Sequence, residues 1–261
     1  MSSARVFFIG GLISFRALFG WMSPWVFVPT LVVTPIFQIL LFTYIGRSAD
    51  LESDKFYVLG NALQYASVPC IFAMTQTIAG ERFQQTLGYV LVSPAGRVPL
   101  FLGRAVPVIV SGFFVAGFSL AASSLLLDIQ LPAGAIAPLV LVMAVSTFSC
   151  TGLGLVAAGI GLLVRETAVL SNIVFGLLLV FTGANVPLHE LPTWMSTVAQ
   201  GLPFTHGISA ARSLADGSGL HQVGGRLAAE LLIGAIYAAG GFTLLRVLEQ
   251  RSRSHGTLER A

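Results

Sequence analysis

Long apolar runs with few charges constrain this chain more than any other feature of its sequence. Of its 261 residues, 55% are hydrophobic and 10% are charged, whereas an average soluble domain is about 25% charged. A helix needs about 20 apolar residues to cross a bilayer, and its backbone satisfies its own hydrogen bonds there. The runs are continuous and do not alternate as the strands of a membrane barrel would. The sequence therefore predicts an all-α integral membrane protein with no room for a second globular domain.

We place six transmembrane helices on these apolar runs. They cover residues 25–45, 56–79, 102–127, 136–164, 168–186 and 227–248. The opening segment, residues 1–22, carries Arg5 and Arg16 on nearly one helical face, which predicts an interfacial amphipathic helix. Residues 187–226 are less hydrophobic and contain prolines and glycines. We expect short re-entrant helices there, at the outer interface before the last span.

The distribution of basic residues predicts the orientation of the chain. If the amino terminus lies inside, ten basic residues fall in inside segments and four in outside segments. Because cytoplasmic loops carry the excess of Lys and Arg, we expect both termini in the cytoplasm. The arginines are spread over loop ends, which suits contact with membrane lipids and does not indicate nucleic-acid binding.

A polar segment between the second and third spans, residues 81–94, has the pattern of an amphipathic helix. Its apolar residues recur at i, i+4, i+7 and i+8, on one helical face: Phe83, Leu87, Val90 and Leu91. Glu81 suits the first turn of a helix, and Pro94 disfavours helical geometry at the residue before it. We predict a short cytoplasmic helix that either contacts something outside the membrane or only joins two spans.

The sequence lacks the patterns of an ATP site, a metal site or a catalytic centre. A P-loop needs a lysine after a glycine-rich turn, and the only lysine, Lys55, lacks that context. Gly152 and Gly154 lie in an apolar run, which favours close helix packing over dinucleotide binding. Cys70 and Cys150 also lie in apolar runs and are expected to be buried. We expect no catalytic residue, metal ligand or cofactor in this chain.

Hydroxyl and amide side chains are the main polar groups of the predicted spans, whose centres contain almost no charge. Such side chains either bond neighbouring helices to each other or form a mildly polar lining for an amphiphilic substrate. The candidates for a lining are Gln64 in the second span and Asn172, Thr182 and Asn185 in the fifth. The scarcity of charge argues against an ion-coupled transporter.

Two local sequence motifs accompany this arrangement of predicted spans and amphipathic helices. The first is ERFQQTLGYVLVSP at residues 81–94, and the second is GANVP at residues 183–187, followed by LPTW at residues 191–194. Together they resemble an ABC-2 type permease, the transmembrane subunit of bacterial ABC exporters of the daunorubicin-resistance and nodulation-factor type. The resemblance covers nearly the whole chain, so we take residues 1–261 as one ABC-2 type transmembrane domain. Gln85 and Gly88 depart from the family pattern, which commonly has a glycine and an acid there.

The resemblance implies the permease subunit of an ATP-driven exporter that moves an amphiphilic drug or lipid-like compound out across the bacterial cytoplasmic membrane. It implies two copies of a separate ABC ATP-binding subunit, which hold ATP and Mg²⁺, and a second permease chain, identical or different. Residues 81–94 then become a coupling helix that meets the ATP-binding subunit through Glu81, Arg82, Phe83, Gln85, Thr86, Leu87 and Tyr89. Polysaccharide or glycolipid export, a membrane enzyme of lipid metabolism and a secondary transporter stay open as alternatives.

Overall fold

The computed structural model describes residues 28–83, 97–164 and 166–255, and within these ranges the chain forms helices and no strands. The α-helices, numbered along the chain, are α1 (Thr34–Ser48), α2 (Asp54–Tyr65), α3 (Met74–Phe83), α4 (Arg97–Leu126), α5 (Ala133–Gly161), α6 (Thr167–Phe181), α7 (Thr193–Ala199), α8 (Thr205–Ala215) and α9 (Leu220–His255). Two π-helical segments, Val28–Val33 and Pro69–Ala73, precede α1 and α3. The predicted all-helical class is confirmed over these residues.

Within the described ranges, five helical stretches are long and apolar enough to cross a membrane. They are Pro29–Ser48, Asp54–Ile78, Gly103–Leu126, Ala133–Gly161 and Leu220–Leu248. They correspond to five of the six predicted spans. The remaining predicted span, residues 168–186, overlaps α6, which has only 15 residues. At about 1.5 Å per residue α6 is about 22 Å long, shorter than the roughly 30 Å hydrocarbon core. The count of six spans therefore stays a prediction.

A proline interrupts the second span near its middle. Pro69 has no amide hydrogen, and its ring crowds the preceding helical turn. The chain forms a widened π-helical segment, Pro69–Ala73, at this point. Cys70 and Ile71 in this segment are fully buried. Neighbouring helices therefore surround the irregular backbone, as a membrane protein requires.

Glycines let α5 approach its neighbours closely. A Cβ atom at Gly152 would lie 2.6 Å from the carbonyl oxygen of Gly234 on α9. A Cβ atom at Gly154 would collide with the carbonyl oxygen of Cys70 in the second span. The predicted close helix packing through small residues is therefore confirmed, because no larger side chain fits at either glycine.

The segment predicted as residues 187–226 contains two short helices, α7 and α8. On α8, Ile208, Ala211 and Leu214 are at most 1% exposed, so this helix is packed into the bundle along its whole length. The proposed position of the segment at the outer interface stays a prediction.

A tight turn explains why the last helix begins earlier than the predicted residue 227. Gly217 follows α8 with φ at +95°, a conformation that glycine adopts without strain. Its N–H donates to Leu214 O at 3.1 Å, and the Ser218 N–H donates to Ser213 O at 2.9 Å. This pair of hydrogen bonds is a Schellman motif, which terminates α8 at Ala215. As a result α9 begins at Leu220.

Candidate functional site

Four amide side chains form a polar cluster between α1, α2 and the segment after α6, in which Gln38 and Asn185 are half-buried. Gln38 Nε2 donates to Asn61 Oδ1 at 3.2 Å and to Gln64 Oε1 at 3.1 Å. Asn61 Nδ2 donates to Asn185 Oδ1 at 2.7 Å and to Tyr57 O at 3.0 Å. Asn61 and Gln64 are fully buried. We call Gln38, Asn61, Gln64 and Asn185 the amide cluster.

The amide cluster leaves hydrogen-bond donors unused. Gln64 Nε2 and Asn185 Nδ2 are buried and have no partner among the described residues. Leaving a buried donor unsatisfied costs about 1–3 kcal/mol, so such groups call for an explanation. Amide nitrogens suit an oxygen acceptor, such as a carbonyl, hydroxyl or ether oxygen of a bound molecule.

Arg212 of α8 fixes the backbone beside the amide cluster. Its guanidinium donates to Gly183 O at 2.8 Å and to Ala184 O at 3.0 Å. It also donates to Phe56 O at 3.0 Å and lies 3.4 Å from the centroid of the Phe56 ring. The planar guanidinium has five donors in a fixed geometry and can hold several carbonyls at once. Asn185 directly follows the two anchored residues, so its position depends on this anchor.

The fit around Arg212 is tight. A Cβ atom at Gly60 would lie 2.7 Å from a guanidinium nitrogen of Arg212 and would collide with the Ala184 carbonyl oxygen. Burial lowers the pKa of Arg212 to about 9. The side chain therefore stays protonated at neutral pH and keeps all of its donors.

The predicted lining residues lie in different environments. Gln64 and Asn185 both belong to the amide cluster, where Gln38 and Asn61 connect them. Thr182 is buried, and its hydroxyl donates at 2.6 Å to the carbonyl one turn back in α6. Asn172 is exposed on α6, and its amide donates at 3.0 Å to a carbonyl of its own helix. The structure thus brings two of the four together.

Gln38 and Asn61 were missed by the sequence analysis. A signal for Asn61 was present, because Asn61 and Gln64 are three residues apart in an apolar run, which places both on one helical face. Gln38 is a single amide in the first span, and its link to α2 arises only in the folded bundle.

Most of the predicted coupling helix lies outside the described residues. Gln85, Thr86, Leu87 and Tyr89 fall in the range that the structure does not describe. The backbone of α3 continues to Phe83, but the side chains of Glu81, Arg82 and Phe83 lie outside the described part. The roles of these seven residues stay predictions. In the ranges that the structure does describe, no three His, Cys, Asp or Glu side chains group as metal ligands.

Comparison with known protein families decides the class of the chain. The model of the family "ABC-2 type transporter" matches residues 10–215, which is more than half of the sequence. The chain belongs to the ABC-2 type transporter family. The resemblance inferred from the two sequence motifs is confirmed.

The ABC-2 type chain is also similar to curated proteins of Escherichia coli. Proteins of strain K12 and of O157:H7, both named "Probable multidrug ABC transporter permease YbhR", are 28% identical to it over 172 residues. The aligned region covers 61% of this chain and 46% of each relative. The chain thus spans about half the length of the curated relatives it matches. Permeases of the ABC-2 family are transmembrane subunits without an ATP site of their own.

Proposed function

We propose that the chain is the permease subunit of an ATP-driven exporter, which moves an amphiphilic compound out across the bacterial cytoplasmic membrane. The observation that carries this proposal is the family match over residues 10–215. The name of the Escherichia coli relatives, a probable multidrug permease, supports a drug-like or lipid-like cargo.

The proposed transporter contains two copies of an ATP-binding subunit and a second permease chain, either identical or different. ATP and Mg²⁺ bind to the ATP-binding subunits. The excess of arginine in one set of loops supports cytoplasmic termini. The same count of basic residues assigns residues 81–94 to the cytoplasmic side, where we propose that they contact the ATP-binding subunit.

The exposed surface of α6 supports contact with a second chain or with the transport path. Val169, Ile173 and Leu177 are 55%, 57% and 47% exposed, and Asn172 is exposed beside them. An amide facing hydrocarbon is costly, whereas a protein surface or a path for amphiphilic cargo provides partners for it. Asn172 remains a proposed lining residue on this basis, whereas Thr182 is buried and stays a proposal from the sequence alone.

The amide cluster is the proposed cargo contact. Gln64 and Asn185 offer amide nitrogens with no partner among the described residues, and apolar side chains such as Leu63 and Ile39 are buried nearby. A pocket that combines apolar surface with a few fixed donors selects molecules with both properties. This composition suits an amphiphile better than a charged or fully polar cargo.

Replacing Gln64 by methionine tests the cargo contact. Gln64→Met removes Oε1, which accepts one hydrogen bond from Gln38, and Nε2, a buried donor without a partner among the described residues. Because Gln38 keeps its bond to Asn61, we expect little change in the amount of folded protein. If that donor binds cargo, the KM for ethidium efflux from cells that also produce the ATP-binding subunit rises about three- to tenfold. The matched control is Gln76→Met, the same change at an exposed site of the same span. Equal KM values for the two variants would contradict the contact.

A further inference from the structure

Helix α8 is held near its two ends by side chains of opposite charge. Glu230 of α9 binds the amino-terminal end, and Arg212 near the carboxyl-terminal end of α8 binds the segment after α6. Glu230 is fully buried. A charged group inside an apolar span is costly unless it is paired, so its presence requires a reason.

The carboxylate of Glu230 caps α8 from a different helix. Phe204 N donates to Glu230 Oε1 at 2.7 Å, and Gly207 N donates to Glu230 Oε2 at 3.1 Å. The first N–H groups of a helix have no partner within it, and the positive end of the helix dipole favours an anion there. Both carboxylate oxygens are therefore used to hold one helix end.

The local backbone depends on this cap. Phe204 has φ at +72°, a left-handed conformation that is unfavourable for a phenylalanine. At Gly207 a Cβ atom would collide with the Ser146 hydroxyl of α5. The start of α8 is thus held in an unfavourable conformation and in close contact with α5, and two charge-assisted hydrogen bonds stabilise it there.

The other end of α8 leads to the amide cluster. Arg212 anchors Gly183 and Ala184 through their carbonyl oxygens. Asn185 comes next in the chain and accepts the 2.7 Å bond from Asn61. Between the two anchors, Ile208 is fully buried, so the middle of α8 is packed inside the bundle.

We propose that α8 is a bridge between α9 and the amide cluster, and that Glu230 is a positioning residue of this bridge. Glu230 fixes the start of α8, α8 fixes Arg212, and Arg212 fixes the backbone that carries Asn185. A change at Glu230 therefore alters the amide cluster without touching it. Only the link to cargo affinity rests on the proposed function. The bridge itself is a property of the fold.

Amide hydrogen exchange of the purified full-length chain tests the bridge. In Glu230→Gln, the new amide can accept only one of the two N–H bonds, so exchange in residues 202–208 should rise about tenfold or more. If α8 is a bridge, exchange in residues 183–186 also rises, about twofold or more. The matched control is Glu190→Gln, at a glutamate with a side chain 66% exposed, which should change neither segment. A rise confined to residues 202–208 would overturn the bridge and leave Glu230 as a local cap.

Arg212→Lys provides the reciprocal test if Glu230→Gln fails to fold. Lysine keeps the charge but not the planar set of donors, so exchange rises in residues 183–186 and, through the bridge, in residues 202–208. Exchange that rises only in residues 183–186 contradicts the bridge.

Ethidium efflux separates this proposal from the transport function. Glu230→Gln should raise the KM about threefold at an unchanged maximal rate. Wild-type protein that moves no ethidium would count against the drug-like cargo, while the exchange result still decides the bridge.

Discussion

Leu87→Asp is expected to uncouple ATP hydrolysis from transport, with at least about a tenfold loss of cargo-stimulated hydrolysis. The sequence places Leu87 on one apolar face with Phe83, Val90 and Leu91, and the family resemblance makes Leu87 a contact of the ATP-binding subunit. An aspartate there exchanges an apolar contact for a charge that cannot be buried unpaired. The measurement is ATP hydrolysis by the purified complex of permease and ATP-binding subunit, with and without ethidium.

The control for this prediction is Leu51→Asp. Leu51 is 69% exposed and lies between α1 and α2, on the side predicted to be outside. The same change at this position should leave coupling intact. If Leu87→Asp assembles with the ATP-binding subunit and still shows normal cargo-stimulated hydrolysis, residues 81–94 are not the coupling helix.

Gly234→Leu is expected to separate α5 from α9 and to destabilise the chain by about 3 kcal/mol. A Cβ atom at Gly234 would lie 2.6 Å from Ser149 Cα and 3.1 Å from the ring of Phe148. Ser149 Cα belongs to the backbone of a long helix and cannot move aside as a flexible side chain would. The measurement is the thermal midpoint and the yield of monodisperse full-length protein in detergent.

Gly240→Leu on the same helix provides the matched control. Gly240 is exposed, and a Cβ atom there would meet nothing within 4 Å. Leucine also has a higher helix propensity than glycine, by up to about 1 kcal/mol, so this variant should be as stable as the wild type or slightly more stable. An equal loss of stability in the two variants would show that the close approach at Gly234 does not hold α5 and α9 together.

The fold was largely predictable because continuous apolar runs and small residues can be recognised in the sequence itself. The run that forms α5 is long and apolar throughout, and Gly152 and Gly154 already indicated close packing. Two features were harder to predict. The start of α9 depends on the Schellman turn at Gly217, which a hydropathy pattern does not show. The helix α6 ends at Phe181, and the segment after it has Gly183 with φ at +76° and carbonyl oxygens that Arg212 holds from 28 or 29 residues away.

The site was only partly predictable because its bonds join distant parts of the chain. Gln64 and Asn185 were chosen as polar residues in predicted spans, but the bond between Asn61 and Asn185 crosses 124 residues. Likewise, Glu230 is the fourth residue of the predicted span 227–248, a position that by itself indicates no partner. Its partners, the N–H groups of Phe204 and Gly207, are backbone atoms that no side-chain motif reveals. Sequence patterns indicate which polar residues lie in the bundle, and tertiary packing decides how they pair.

The most direct test of the central claim is transport by the purified complex reconstituted in vesicles. The ATP-binding subunits face the external solution, and no ion gradient is present. The measured quantity is the ethidium that accumulates in the lumen after addition of ATP and Mg²⁺. The account predicts accumulation that requires ATP hydrolysis and disappears when the ATP-binding subunit is omitted. In parallel vesicles that contain the permease chain alone and carry an imposed proton or sodium gradient, ethidium accumulation in the absence of ATP would contradict it.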